Sequence, residues 1–170
     1  LAETIHAILI ETGLSPNRLE VEVTESTIMS DQTRGLHVLR KLKAMGISVA
    51  MDDFGTGHSS LATLHSFPFD KIKLDQSFVR RVPEDAAAAA IVRTVLALGV
   101  SLGIPVLAEG IETHTQWQFL ANAGCSKGQG YLFAKPVPLE QMSTAIAKAN
   151  ELLRHDAPTP VAAPRRALAG

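Results

Sequence analysis

The stretch AMDDFGTGHSSL, residues 50–61, ends an apolar run in two adjacent aspartates and then passes into a turn rich in glycine and hydroxyl side chains. The run that leads into it, ISVAMDD at 47–53, reads as a strand, with Val49 and Met51 on one face and Ser48, Ala50 and Asp52 on the other. Paired carboxylates at a strand end can bridge divalent cations. The following Gly55, Thr56, Gly57, Ser59 and Ser60 can bring backbone and hydroxyl groups close to an oxyanion. Asp52 and Asp53 are therefore candidate metal ligands, and the five loop residues are candidate supports of the same centre.

Upstream, LEVEVTE at 19–25 alternates strictly: Leu19, Val21 and Val23 on one face, Glu20, Glu22 and Thr24 on the other. Helices are predicted over 2–12, with Gly13 as C-cap, and over 31–45, ended by Gly46. Downstream, SSLATLHSF reads as a short helical turn closed by Pro68, and KIKLD at 71–75 as a third strand with Lys71, Lys73 and Asp75 on its polar side. A helix over 85–102 leads to the strand PVLAEG at 105–110. A helix over 113–123 then leads to the strand KGQGYLF at 127–133, and a last helix runs from about 139 to 153. The residues from 154 onward, rich in proline and alanine, have no periodicity and are expected to be a disordered tail beyond a single domain over 1–153.

Strand and helix alternate five times with short connections, which predicts parallel strands joined by right-handed crossovers. An open doubly wound sheet and a (β/α) barrel both satisfy that pattern. The barrel is favoured because Glu22, Asp52, Lys73, Glu109 and Gln129 all fall at or near the C-terminal ends of successive strands, where barrel enzymes collect their chemistry. An open sheet concentrates its functional groups at one switch point. A complete barrel has eight strands and about 250 residues, so the expected fold is α/β, an incomplete modified TIM barrel of about five strands. The missing initiator methionine fits a piece of something longer.

With 46% hydrophobic and 19% charged residues, the composition is that of a globular domain able to bury a core. The formal charge of -1 gives no basic footprint for DNA or RNA. One cysteine, Cys125, excludes an intrachain disulfide framework and a zinc-thiolate cluster, and points to a cytoplasmic setting. The six histidines show no paired metal-binding spacing, and Trp117 and Phe119 read as packing groups.

Four carboxylates, Glu22, Asp52, Asp53 and Glu109, would converge on one pole of a barrel, and such hard oxygen donors suit magnesium or manganese. Adjacent acids must be offset by cations or become protonated. Lys73 points into the same polar interior, either as a salt-bridge partner or as a group that orients water and neutralises phosphate oxygens. Glu25 and Glu112 each follow a candidate ligand by three residues, in EVTE and EGIE, as helix caps or as supports of the loop and of Lys73. Gln129, between two glycines, is a backbone-bonded strand amide or a substrate contact.

Taken together, EVTES, DDFGTGHSSL, KIKLDQSFV, AEGIET and QGYLFAKP resemble, in order and spacing, the EAL domain of cyclic di-GMP phosphodiesterases. The resemblance covers about residues 1–153, the C-terminal two-thirds of the family's domain. It implies a modified TIM barrel with two magnesium or manganese ions that hydrolyses cyclic di-GMP to linear pGpG. It also implies a homodimer, and an upstream sensory or diguanylate cyclase domain. By the same resemblance Glu22, Asp52, Asp53 and Glu109 hold the ions, Lys73 positions the attacking water and Gln129 lies near substrate. Glu25 anchors the loop that holds Gly55, Thr56, Gly57, Ser59 and Ser60, and Glu112 supports the site. The Glu-Ala-Leu motif and an asparagine ligand are absent from this chain, so the isolated chain is expected to be inactive. His58 stands where the family usually has an aromatic residue. The alternatives are a catalytically inactive cyclic di-GMP receptor or interaction module, and another metal-dependent barrel hydrolase.

Overall fold

The computed structural model describes residues 1–55, 64 and 66–155. The described residues form five strands, β1 (Glu20–Thr24), β2 (Ser48–Phe54), β3 (Lys71–Leu74), β4 (Val106–Ala108) and β5 (Lys127–Gly128). Their helices are α1 (Ala2–Thr12), α2 (Glu25–Ser30), α3 (Gln32–Ala44), α4 (Gln76–Val79), α5 (Ala86–Leu102), α6 (His114–Asn122) and α7 (Met142–His155). All strands pair in parallel in the order β1-β2-β3-β4-β5, so the sheet is a barrel wall that does not close.

Local chemistry sets the helix ends. Asp31 caps α3 by accepting from Arg34 N at 3.0 Å, Asp85 caps α5 through Ala87 N and Ala88 N, and Thr113 with Gln116 forms a capping box on α6. One sheet face presents Val49, Met51, Ile72, Leu74, Val106 and Ala108, all buried, and Leu39, Leu42, Val92, Val95 and Leu96 of α3 and α5 are buried in the same core. Burying each larger aliphatic side chain contributes about 1.5–3 kcal/mol, so this layer fixes the register of the strands. The opposite face is polar, carrying Glu20, Glu22, Asp52, Lys71 and Lys73.

Ala50 makes that polar face workable. In register it stands between Glu22 of β1 and Lys71 of β3, and its small side chain leaves room for lysines of β3 to cross β2. Lys71 thus reaches Glu20 at 2.6 Å, and Lys73 reaches Glu22 at 2.7 Å.

Three sequence expectations change in detail. The fifth strand shrinks from 127–133 to Lys127–Gly128, because the chain bends around Ile111, whose N–H donates to Gln129 O and whose carbonyl accepts from Leu132 N. The short helices α2 and α4, of six and four residues, follow β1 and β3 and are too short to show a helical period. The last helix begins with a 3₁₀ turn at Leu139–Gln141 and continues to His155. Most of the expected turn in SSLATLHSF and the expected tail from 156 onward lie outside the described residues. Among the described residues no helix is long and apolar enough to cross a membrane.

The cap of α5 gives a pH-dependent prediction. Hydrogen bonds from Ala88 N, then Ala87 N and Arg81, hold the Asp85 carboxyl below its ordinary range. A depressed carboxyl contributes stability above its unfolded pKa of about 3.9, and that stability is lost as pH falls through the folded value. Asp85→Ala is therefore expected to lower the Tm at neutral pH, with the gap from wild type closing in acid, as followed by circular dichroism.

Candidate metal centre

Successive strands deliver their acids to one pole. Glu22 lies near the end of β1, Asp52 and Asp53 near the end of β2, and Glu109 and Gln129 just past β4 and β5. Between them stands Lys73 of β3, only 5% exposed, with its Nζ 2.7 Å from Glu22 Oε2, 2.9 Å from Asp52 Oδ1 and 2.9 Å from Glu109 Oε1. Carboxylate oxygens of Asp52, Asp53 and Glu109 lie within 4.8 Å of one another. Glu22 joins the cluster through its bond to Lys73.

Two adjacent residues of a regular strand point to opposite faces, yet Asp52 and Asp53 contribute to one cluster. The backbone explains how. Met51 pairs with Ile72 and Phe54 with Leu74, so Asp52 and Asp53 together oppose the single residue Lys73 in a β-bulge. Asp53 adopts φ 54°, a left-handed conformation that aspartate tolerates better than most residues. The bulge turns the second carboxylate back toward the first.

Four carboxylates share one ammonium, and the electrostatics record the imbalance. Burial, and then the charges of Asp52 and Asp75, push the Asp53 carboxyl up. Burial also raises Glu109, against the lowering effect of Lys73. Burial by itself would lower the Lys73 ammonium, but hydrogen bonds to Glu22, Asp52 and Glu109 outweigh it and lift the group above the ordinary lysine range. The centre is thus short of positive charge and supplies only hard oxygen donors. That donor set fits divalent cations such as magnesium or manganese.

The remaining candidates fall in several places. Gln129 Nε2 donates to Glu109 Oε1 at 2.8 Å, so it holds the carboxylate that Lys73 also contacts. Glu25 opens α2 and is 4% exposed, and among the described residues no hydrogen-bond donor meets either carboxylate oxygen. Gly55 ends β2 with φ 99°, whereas Thr56, Gly57, His58, Ser59 and Ser60 lie outside the described residues. Glu112 does not cap α6, since Thr113 and Gln116 do that. Its Oε1 accepts from Arg80 Nη2 at 3.2 Å instead.

Beside Gln129 opens a cleft of about 440 Å³ lined by Arg80, Glu112, Tyr131 and Lys135 among others, with the Lys135 ammonium 5.5 Å from the centre of the Tyr131 ring. Sequence reasoning passed over Arg80, Tyr131 and Lys135. The last two are in QGYLFAKP beside Gln129, which is the signal that could have found them.

Comparison with known proteins gives the family. A family model described as the EAL domain matches residues 1–136. An uncharacterized signaling protein of Caulobacter vibrioides is 54% identical over 143 residues, 84% of this chain and 18% of the relative. MucR of Pseudomonas aeruginosa, a bifunctional diguanylate cyclase/cyclic di-GMP phosphodiesterase, is 41% identical over 86% of this chain and 22% of its own length. The structure of the MucR phosphodiesterase in complex with c-di-GMP superposes with a TM-score of 0.80 at 42% identity, covering 84% of this chain and 57% of that one. A manganese/c-di-GMP complex of Klebsiella pneumoniae BlrP1 gives a TM-score of 0.71 at 39% identity, over 75% of this chain and 33% of that one. The chain spans about one fifth of the length of the first two curated relatives. The family match covers all five strands that carry the carboxylate centre, and the chain belongs to the EAL domain family.

Proposed function

We propose that this chain is the C-terminal part, about residues 1–153, of a metal-dependent phosphodiesterase domain that hydrolyses cyclic di-GMP to linear pGpG. The observation that carries the reading is the Lys73 ammonium held among Glu22, Asp52 and Glu109, with Asp53 turned into the same cluster by the bulge. Support also comes from relatives named as cyclic di-GMP phosphodiesterases and from neighbours that hold c-di-GMP, one of them with manganese.

In this reading Glu22, Asp52, Asp53 and Glu109 hold two magnesium or manganese ions. Such ions, when bound, supply Lewis acidity toward the phosphodiester and lower the pKa of the attacking water. The chain's own groups do the rest. Lys73 orients the water and offsets charge that builds on the phosphate oxygens as one P–O bond forms and the bond to the ribose oxygen breaks. Glu109, whose Oε1 lies 2.9 Å from the Lys73 ammonium, holds that ammonium beside the reacting phosphate. Gln129 fixes Glu109 and lines the cleft beside it, where part of the dinucleotide would lie. Glu25 holds the loop of Gly55, Thr56, Gly57, Ser59 and Ser60, and Glu112 holds Arg80 at the rim of the cleft.

A cytoplasmic homodimer with an upstream sensory or diguanylate cyclase domain completes the proposal. The two enzymatic activities in MucR's name support the cyclase. The open sheet edges at β1 and β5 support the further expectation that the 170-residue chain alone turns over little substrate. The test is to incubate the full-length protein with cyclic di-GMP and Mn2+ or Mg2+ and separate the products by anion exchange. The expected product is pGpG, abolished by EDTA. Tight binding of cyclic di-GMP with no pGpG would instead support a receptor.

A further inference from the structure

The strand ladder stops short of the two places where the donor set needs control. The β2–β3 register breaks between Met51 and Phe54, and β4 ends at Ala108, after which Glu109 N makes one bond to Leu74 O at 3.2 Å. Both places rest on the one-turn helix α4. Gly55, two residues past Asp53, lies on the ring of Phe78, where an added Cβ would stand 3.0 Å from Cε2 and 3.4 Å from Cζ. Gly110, next after Glu109, lies against Gln76, where an added Cβ would stand 2.5 Å from the Gln76 Cβ. Both glycines have positive φ, 99° and 67°, so each backbone approaches α4 in a conformation that side chains disfavour.

The helix itself is firmly seated. Val79 is fully buried, Asp75 caps α4 through Ser77 N at 2.9 Å, and Arg80 just beyond it pairs with Glu112. One turn, anchored by Val79 and its cap, therefore touches the backbone after Asp53 and the backbone after Glu109.

We propose that Phe78 and Gln76 are positioning residues for the carboxylate centre: Phe78 fixes the bulge that turns Asp53 toward Asp52, and Gln76 fixes the backbone behind Glu109. The spacing between the two halves of the donor set is then set by α4, through two glycine contacts, in addition to the strand pairing that leads up to it. The inference rests on the reading of the centre as a cation site. Phe78 as packing alone would predict a loss of stability with the donor geometry kept.

The test compares wild type with Phe78→Ala, Gln76→Gly and the conservative Phe78→Leu, all in the full-length protein. Amide exchange is measured without metal, Mn2+ affinity by electron paramagnetic resonance, and global stability by urea denaturation. Phe78→Ala is expected to speed exchange at residues 53–55 at least tenfold beyond any global change and to weaken Mn2+ binding at least tenfold, with most of both recovered in Phe78→Leu. Gln76→Gly is expected to act in the same way at residues 109–111. Exchange at these segments that follows only the global stability would overturn the proposal. Should Phe78→Ala not fold, Gly55→Ala pushes on the same contact from the other side, and the same criteria apply to it. A wild type that binds no Mn2+ overturns the cation reading, and the exchange measurement still decides the role of α4.

Discussion

Lys73→Met is expected to lower the stability of the cation-free protein by about 2–3 kcal/mol, less than the cost of about 3–5 kcal/mol typical of a fully buried ion pair because Glu22 is half exposed to solvent. Methionine keeps the length and apolar stem of lysine, so the loss isolates the charge. Glu22, Asp52 and Glu109 all touch this one ammonium at 2.7–2.9 Å, and without it the acids face one another across a site already short of positive charge. Glu109, which burial already raises, would answer by taking up a proton. A raised carboxyl contributes stability below its unfolded pKa, about 4, and loses it as pH rises through the folded value, so the deficit of the variant should grow from acid to neutral pH. Added Mn2+ should restore most of it, because the cation supplies the missing charge, and Mn2+ affinity should rise. Turnover should nonetheless fall by about 10²–10³-fold, the usual cost of deleting a group that stabilises developing charge. Urea denaturation in EDTA and in Mn2+, with an assay of pGpG formation, separates these effects. Equal stability of variant and wild type in EDTA would remove Lys73 from the electrostatic centre.

Asp53→Asn is expected to lower turnover by about 10³-fold or more, an effect of about 4 kcal/mol on the barrier, while leaving the fold intact. Asparagine is chosen because it tolerates the left-handed backbone at this position, φ 54°, nearly as well as aspartate. The bulge should persist and only a formal charge should leave. A β-branched residue there would add backbone strain, so Asp53→Val should lose stability as well as turnover. Comparing the two by circular dichroism and product assay tells a lost ligand from a lost bulge. Turnover in Asp53→Asn within threefold of wild type would exclude Asp53 from the reaction.

Much of this was legible in the sequence because it rests on short-range periodicity. LEVEVTE and ISVAMDD announce strands with one polar face, and glycines at 13 and 103 end their helices where the pattern stops. Carboxylates at successive strand ends pointed to a barrel pole, and the structure gathers Asp52, Asp53, Lys73 and Glu109 there. What was not legible depends on single bonds and on breaks in the pattern. Nothing in AMDDFG says that two neighbouring aspartates face one way, because the bulge comes from pairing with β3. One-turn helices such as α4 hold too few residues to show a period, which hid the contacts of Phe78 and Gln76. KGQGYLF alternates well enough to pass for a strand, but the backbone of Ile111 captures Gln129 O and Leu132 N and bends it after two residues.

Whether the carboxylates around Lys73 form a divalent-cation site is decided by titrating Mn2+ into the metal-free full-length protein and following the heat by calorimetry. Saturable binding is expected, weakened at least tenfold by Asp53→Asn and strengthened by Lys73→Met. Binding that is absent, or that is the same in all three proteins, would contradict such a site.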